Sequence, residues 1–199
     1  MSHDQNLSSP EARIILKDLD GLSLVIHTLG FDETRAPGVY VDDGAVVALS
    51  LRRCGLATLP ESLMRLKALR QLDLTGNDLP ALPESLGDLR QLRGLYLDDN
   101  RLTALPESLS SLAQLEALSV DNNQLRHLPD MGALTSLARL YVHNNQLTAL
   151  PESLWHLPRL RILSIGENPL RTLPETIAHL TELIELYIHS SGITTLPRG

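Results

Sequence analysis

The sequence predicts an α/β solenoid, with a curved parallel β-sheet on its concave side, short helices or turns on its convex side, and an amino-terminal cap made of a helix and a hairpin. Three observations carry this prediction. A 23-residue unit recurs: LRQLDLTGNDLPALPESLGDLRQ (69–91) laid over LRGLYLDDNRLTALPESLSSLAQ (92–114) shows the same leucines, asparagine and proline returning. Each unit opens with alternating leucines, as in Leu95 and Leu97 around Tyr96, which suits a short strand with one buried face. Each then runs into a Leu-Pro-Glu-Ser-Leu turn, where a proline at a helical start and a glutamate near its positive end favour a short helical segment.

Residues 1–45 stand outside the repeat and are expected to form the cap, because the first coil would otherwise expose its leucines. Ser9-Pro10-Glu11 reads as a helix start, and Ile15, Leu19 and Leu22 recur at helical spacing, weakened by Gly21. The following stretch GVYVDDGAVVALSL holds two β-rich runs around Asp42-Asp43-Gly44, a hairpin feeding straight into the first repeat strand. Residues 46–199 make seven units, starting at Val46, Leu69, Leu92, Leu115, Leu137, Leu160 and Leu183. The fourth is one residue short, with Asp130-Met131 in place of Glu-Ser-Leu. The seventh is truncated at Leu196-Pro197-Arg198-Gly199 and carries Ser190-Ser191-Gly192 instead of the asparagine turn. An open carboxyl edge is expected, of the kind that another domain or a partner usually covers. That expectation favours a piece of a longer protein; the alternative is that the last half-repeat is itself a sufficient end.

Inside the units, Asn77, Asn100, Asn123, Asn145 and Asn168 recur where the chain turns inward, placed so that their amides bond backbone groups of neighbouring coils as an internal ladder. Cys54 occupies that column in the first unit. A second apolar column, Leu79, Leu102, Leu125, Leu147 and Leu170, precedes the turn. Trp155 lies on the convex turn beside His156 and is expected to shield that side.

The full pattern, LxxLxLxxNxLxxLPxxLxxLxx over most of residues 46–199, resembles the leucine-rich repeat. The 23-residue unit with Leu-Pro-Glu-Ser-Leu is most similar to intracellular members: plant repeats related to Ras-binding proteins, animal Ras scaffolds, and repeat regions of bacterial type III effectors. Effectors with a repeat-linked ubiquitin ligase often use shorter units with a Leu-Pro-x-Leu-Pro run, and this chain, with its 23-residue units, departs from that subgroup, so no ligase activity carries over. The resemblance makes Cys54 a common substitute in the ladder column, a buried structural thiol instead of a nucleophile. In plant-type caps a cysteine often stands where this chain has Tyr40 or Val41, so that cap's disulfide is not expected.

Composition bounds the function. With 43% hydrophobic residues but no apolar run of eighteen, no membrane span is expected. The polar start MSHDQNLSSPEAR does not read as a signal peptide, and a single cysteine does not fit the paired cysteines of extracellular repeat caps. A cytoplasmic location follows as the expectation, the host cytosol if the chain is a secreted effector. Fifteen of the seventeen basic residues are arginine, which suits a GC-rich bacterial source. A net charge of -7 argues against nucleic acid as a partner. Arg52 and Arg53 mark the first unit while Asp98, Asp99 and Asp121 fall in the third and fourth, so the surface is expected to run from basic to acidic along the array; a solvated surface of mixed charge is the competing reading.

Columns that vary from unit to unit hold the specificity, because framework columns answer only to packing. The middle outward strand position reads Ser50, Asp73, Tyr96, Ser119, Tyr141, Ser164, Tyr187, gathering three of the four tyrosines. At a strand spacing of about 4.8 Å the tyrosines fall roughly 10 Å apart. The next outward position gives Arg52, Thr75, Asp98, Asp121, His143, Gly166 and His189. The expected partner-binding set is therefore Tyr96, Tyr141, Tyr187, Asp98, Asp121, His143, His189, Asp73 and Arg52, a protein-binding stripe on the concave face. Tyrosine also simply suits a strand surface. His143 and His189 lie two units apart with Gly166 between them and only Glu167 to complete a set, so no metal site is expected. GxxxxGK[ST], HExxH, GxSxG and CxxC are all missing, so neither catalytic residues nor a cofactor are expected. The sequence thus reads as a noncatalytic module binding a protein partner; the alternative is a substrate-recruiting region of a larger ubiquitin ligase, kinase or GTPase. A third reading, self-association through the uncapped carboxyl edge, predicts concentration-dependent dimers.

Overall fold

The computed structural model describes residues 38–194 and 197. The helix expected between Ser9 and Leu22 and the final turn at Leu196 lie outside the described residues. Strands β1 (Gly38–Asp42) and β2 (Ala45–Ser50) form the expected hairpin. Its turn places both Asp43 (φ 52°) and Gly44 (φ 78°) in the left-handed region, as a type I′ turn requires. The register slips between Tyr40 and Val41, which pair with Ala48 and Val46, so Val47 of β2 is the extra residue of a bulge.

From β2 onward the strands stack in sequence order: β3 (Gln71–Asp73), β4 (Gly94–Tyr96), β5 (Ala117–Ser119), β6 (Arg139–Tyr141), β7 (Ile162–Ser164) and β8 (Glu185–Tyr187). All are parallel, and the register never shifts, so Leu72, Leu95, Leu118, Leu140, Leu163 and Leu186 lie side by side. Only β1 is antiparallel. The backbone ladder continues past the three-residue strands, with Leu74 N–H donating to Tyr96 O at 2.8 Å and Gly76 N–H to Asp98 O at 2.8 Å. Identical register follows from identical spacing: a one-residue slip would turn every leucine of a coil to the wrong face.

The convex turns are five-residue 3-10 segments, Glu61–Arg65, Glu84–Asp88, Glu107–Ser111, Glu152–His156 and Glu175–His179. The prolines cap these segments from outside: Pro60 has ψ 136° and Pro83 ψ 150°, extended backbone in place of a first helical turn. The glutamates also act between coils as well as within one. Glu84 accepts hydrogen bonds from Ser108 N at 3.0 Å and Glu107 N at 3.3 Å, the start of the next coil's segment. Those donors hold its carboxyl below the usual carboxylate range.

Coil four (115–136) has no 3-10 segment. Met131 takes the buried leucine position of its shortened turn, and its N–H is capped by Ser153 Oγ of the next coil at 3.0 Å. Beside this coil sits Trp155, which is 1% exposed and part of the core. It lies in the convex segment Glu152–His156, with its side chain inside the core. The strand leucines of the interior coils, Leu72, Leu95, Leu118, Leu140 and Leu163, are fully buried, each contributing on the order of 1.5–3 kcal/mol. At the far end Leu183, Leu186, Ile188 and Ile193 are only partly buried, and Ile184 is 73% exposed.

Candidate functional site

The candidate site is the open face of the sheet, and the ladder beneath it determines where its side chains point. Asn123 Oδ1 accepts from Leu102 N–H of the preceding coil at 2.9 Å, while Nδ2 donates to Leu97 O (3.0 Å), Val120 O (3.2 Å) and Asp121 O (3.1 Å). Asn77, Asn100, Asn145 and Asn168 repeat this arrangement. All five are buried and satisfy backbone groups that would each cost about 1–3 kcal/mol if left unpaired. Cys54, at the head of the column, is half-buried, contrary to the buried thiol expected. Its Sγ meets Arg52 O of its own turn at 3.6 Å, and burial pushes the thiol pKa up.

Directly before each ladder position the backbone turns left-handed: Arg53, Gly76, Asp99, Asn122, Asn144, Glu167 and Ser190 all have φ between 51° and 73°. Only one of these is glycine, although Asp and Asn tolerate the region best. The recurring Asp-Asn and Asn-Asn pairs were the signal for this column. Three of its members make a second, exposed ladder, Asn144 Nδ2 donating to Asn122 Oδ1 (2.9 Å) and Asn122 Nδ2 to Asp99 Oδ1 (2.8 Å).

The three tyrosines share one row, since Tyr96 pairs with Ser119, Ser119 with Tyr141, Tyr141 with Ser164 and Ser164 with Tyr187. Both serines are buried, leaving slots between half-buried Tyr96 and Tyr141 and between Tyr141 and exposed Tyr187. The rings of Tyr96 and Tyr187 lean toward the start of their strands. A Cβ on Gly94 would stand 3.1 Å from Tyr96 Cε2, and Tyr187 Oη donates to Glu185 Oε2.

The acids of the next column hold coils together. Asp98 Oδ1 accepts from Ser119 Oγ (2.6 Å) and Asp121 N (2.8 Å), and Asp121 Oδ1 accepts from His143 N (2.7 Å). Asp73, in the tyrosine column, accepts from Thr75 N of its own coil at 2.9 Å and faces Arg52 of the preceding coil at 3.7 Å. Burial raises the carboxyls of Asp98 and Asp121 against the pull of these donors, Asp121 to about 6. Thr75 and Gly166 of this column are buried, so it is not a uniformly exposed row.

Charge is also divided across the strands, a second axis besides the one expected along the array. Arg70, Arg93 and Arg139 line the strand-entry side with Tyr40 and Tyr96 around a cleft of about 550 Å³, opposite Asp73, Asp98 and Asp121 at the strand exits. Arg93 pairs with Glu116 at 3.0 Å.

His143 and His189 are brought together across Gly166. Sequence spacing made that glycine look like a gap, but the lack of a side chain lets the two imidazoles meet, ring centroids 4.9 Å apart. Glu167 Oε1 stands 3.8 Å from His143 Nε2. With Asp121, Tyr141, Ser164, Glu185 and Tyr187, the histidines line a second cleft of about 320 Å³.

A family model described as a leucine-rich repeat region matches residues 48–147, and one described as a leucine rich repeat matches residues 135–193. No curated protein matches the chain. Among solved structures, a leucine-rich repeat protein of Leptospira interrogans is similar at 36% identity and a TM-score of 0.74, over 76% of this chain and 39% of that one. The repeat domain of the type III effector XopL is 33% identical with a TM-score of 0.66, over 75% and 53% of the two chains. A chain of the Drosophila Toll–Spatzle complex is 32% identical with a TM-score of 0.63, over 73% and 20%. The chain therefore spans less than two thirds of the length of each of these structures. Among the described residues, no helix is long and apolar enough to cross a membrane.

Proposed function

The chain belongs to the leucine-rich repeat family, whose domains generally mediate protein–protein interaction, and from that premise we propose that it is a noncatalytic module that binds a protein partner on the concave, open face of its sheet. The observation that carries this reading is the row in which Tyr96, Tyr141 and Tyr187 alternate with buried Ser119 and Ser164. Amphipathic rings separated by serine-floored slots offer a partner large rigid contact area at low entropic cost, plus places to seat its own side chains. The arginines at the strand entries and the acids at the strand exits set the partner's orientation more than its affinity. The acids carry less of the contact than the tyrosines, because each already spends an oxygen on the neighbouring backbone.

A second reading is a substrate-recruiting region of a larger enzyme; the similar repeats of XopL, one domain of a type III effector, support the part of it in which the repeats belong to a larger protein. Crosslinking pull-downs with the intact chain, a Tyr96→Ala/Tyr141→Ala/Tyr187→Ala variant and a convex-side His156→Ala/His179→Ala variant test the primary reading. Proteins lost only with the tyrosine variant, at unchanged circular dichroism, are the expected result. Identical capture by all three would move recognition away from this face.

A further inference from the structure

We propose that His143, Glu167 and His189 form a binding site for a divalent transition-metal ion, zinc foremost, where the last three strands leave the sheet. One donor atom from each of the three lies within 4.8 Å of the other two, the only such convergence of three His, Cys, Asp or Glu side chains among the described residues. Two donors bound at about 2.1 Å to a tetrahedral ion stand about 3.4 Å apart. His143 Nε2 and Glu167 Oε1 are already at 3.8 Å, so small side-chain rotations close the set.

Three features of the chain build this convergence. His143 and His189 occupy the same column in coils five and seven, and the intervening position is Gly166. A Cβ there would stand 2.8 Å from His189 O and 3.1 Å from both His143 Nδ1 and His189 Cε1, so the imidazole pair exists because this coil carries glycine. Glu167 follows in left-handed backbone (φ 51°), its N–H donating to His189 O at 2.9 Å, which ties the carboxylate's own residue to the coil of the second histidine. On His143 it is Nε2 that faces the Glu167 carboxylate, while Nδ1 is buried without a hydrogen-bond partner among the described residues.

The donor set selects the ion. Two imidazoles and one carboxylate suit zinc, copper(II) or nickel(II), whereas magnesium and calcium prefer oxygen throughout. Three protein ligands leave a position for water or for a group presented by a bound molecule, facing the cleft of about 320 Å³. The convex pair His156 and His179 provides an internal control: its rings are as close, 5.0 Å between centroids, but no third donor converges on them among the described residues.

The test is titration of tag-free, chelator-stripped chain with zinc chloride by calorimetry, with magnesium chloride as comparison. One zinc per chain is expected, with no magnesium heat. Glu167→Gln and His189→Ala, both at exposed residues that leave the core untouched, are each expected to weaken zinc binding about tenfold or more. His156→Ala/His179→Ala should leave it unchanged. In histidine-detected NMR the rings of His143 and His189 should shift together at the same stoichiometry. Binding weaker than about 1 mM, equal magnesium binding, a stoichiometry other than one, survival of binding in both site variants, or equal loss in the convex variant would each overturn the site.

Discussion

Asp98 shows how one side chain on this face serves packing at an electrostatic cost. Its carboxylate bonds the Ser119 hydroxyl and the Asp121 amide of the next coil, yet burial outweighs those bonds and raises its pKa in the folded chain. An acid whose folded pKa is raised binds its proton more tightly folded than unfolded. Its ionised form therefore detracts from stability above the folded pKa, and that penalty fades as pH falls toward the unfolded value near 3.8. Asp98→Asn keeps an acceptor for the Asp121 amide while removing the charge. The variant is expected to melt above the wild type at pH 7, by about 2–4 °C for about 1 kcal/mol in a chain of this size, and to converge with it near pH 4. A wild type that melts higher at pH 7 would mean the hydrogen bonds outweigh desolvation. At this scale the sequence was half legible. Column counting found the tyrosine row and the aspartates, since both follow from repeat position alone. It missed that Tyr96 folds back over Gly94 and that His143 meets His189, because both contacts depend on a neighbouring residue having no side chain.

At the scale of elements the regular parts were readable and the irregular one was not. Every coil must satisfy the same packing and the same backbone ladder, so strand positions, register and the asparagine column all follow from a 23-residue period. The convex turns needed more than period: a proline at the cap with extended backbone, followed by five residues, closes a 3-10 segment instead of an α-helical turn. Coil four departs furthest. Its lost residue removes the 3-10 segment, and Trp155 of coil five is buried in a column that elsewhere holds Met64, Gly87, Ser110 and Ala178. We read Trp155 as filling the space beside the short coil. Trp155→Ala is then expected to cost about 3–5 kcal/mol, and Trp155→Phe about 1–2 kcal/mol, measured by urea unfolding followed with circular dichroism. A loss below about 1 kcal/mol for the alanine variant would show that this coil collapses readily and that the indole is not needed to fill it.

Over the whole molecule, stability is a property of neighbours. A solenoid coil touches only the coils before and after it, so its resistance to opening is the sum of its own stability and two interfaces. Strands β4, β5 and β6 have both interfaces, and Leu95, Leu118 and Leu140 are fully buried between them. Strand β8 pairs only with β7 among the described residues, and Leu186 at its centre is partly buried where its counterparts are sealed. Native-state hydrogen exchange should therefore show a gradient, with the amides of β4 to β6 opening close to the global unfolding free energy and those of β8 opening well below it. Equal protection along the array would mean that the coils unfold as one unit and that nearest-neighbour coupling far exceeds the stability of any single coil. The proposed metal site adds a further expectation at the weak end, because its ligands come from coils five, six and seven. Zinc should slow exchange in β8 while leaving β4 unchanged, and His189→Ala should remove that effect without altering the gradient seen in the metal-free chain.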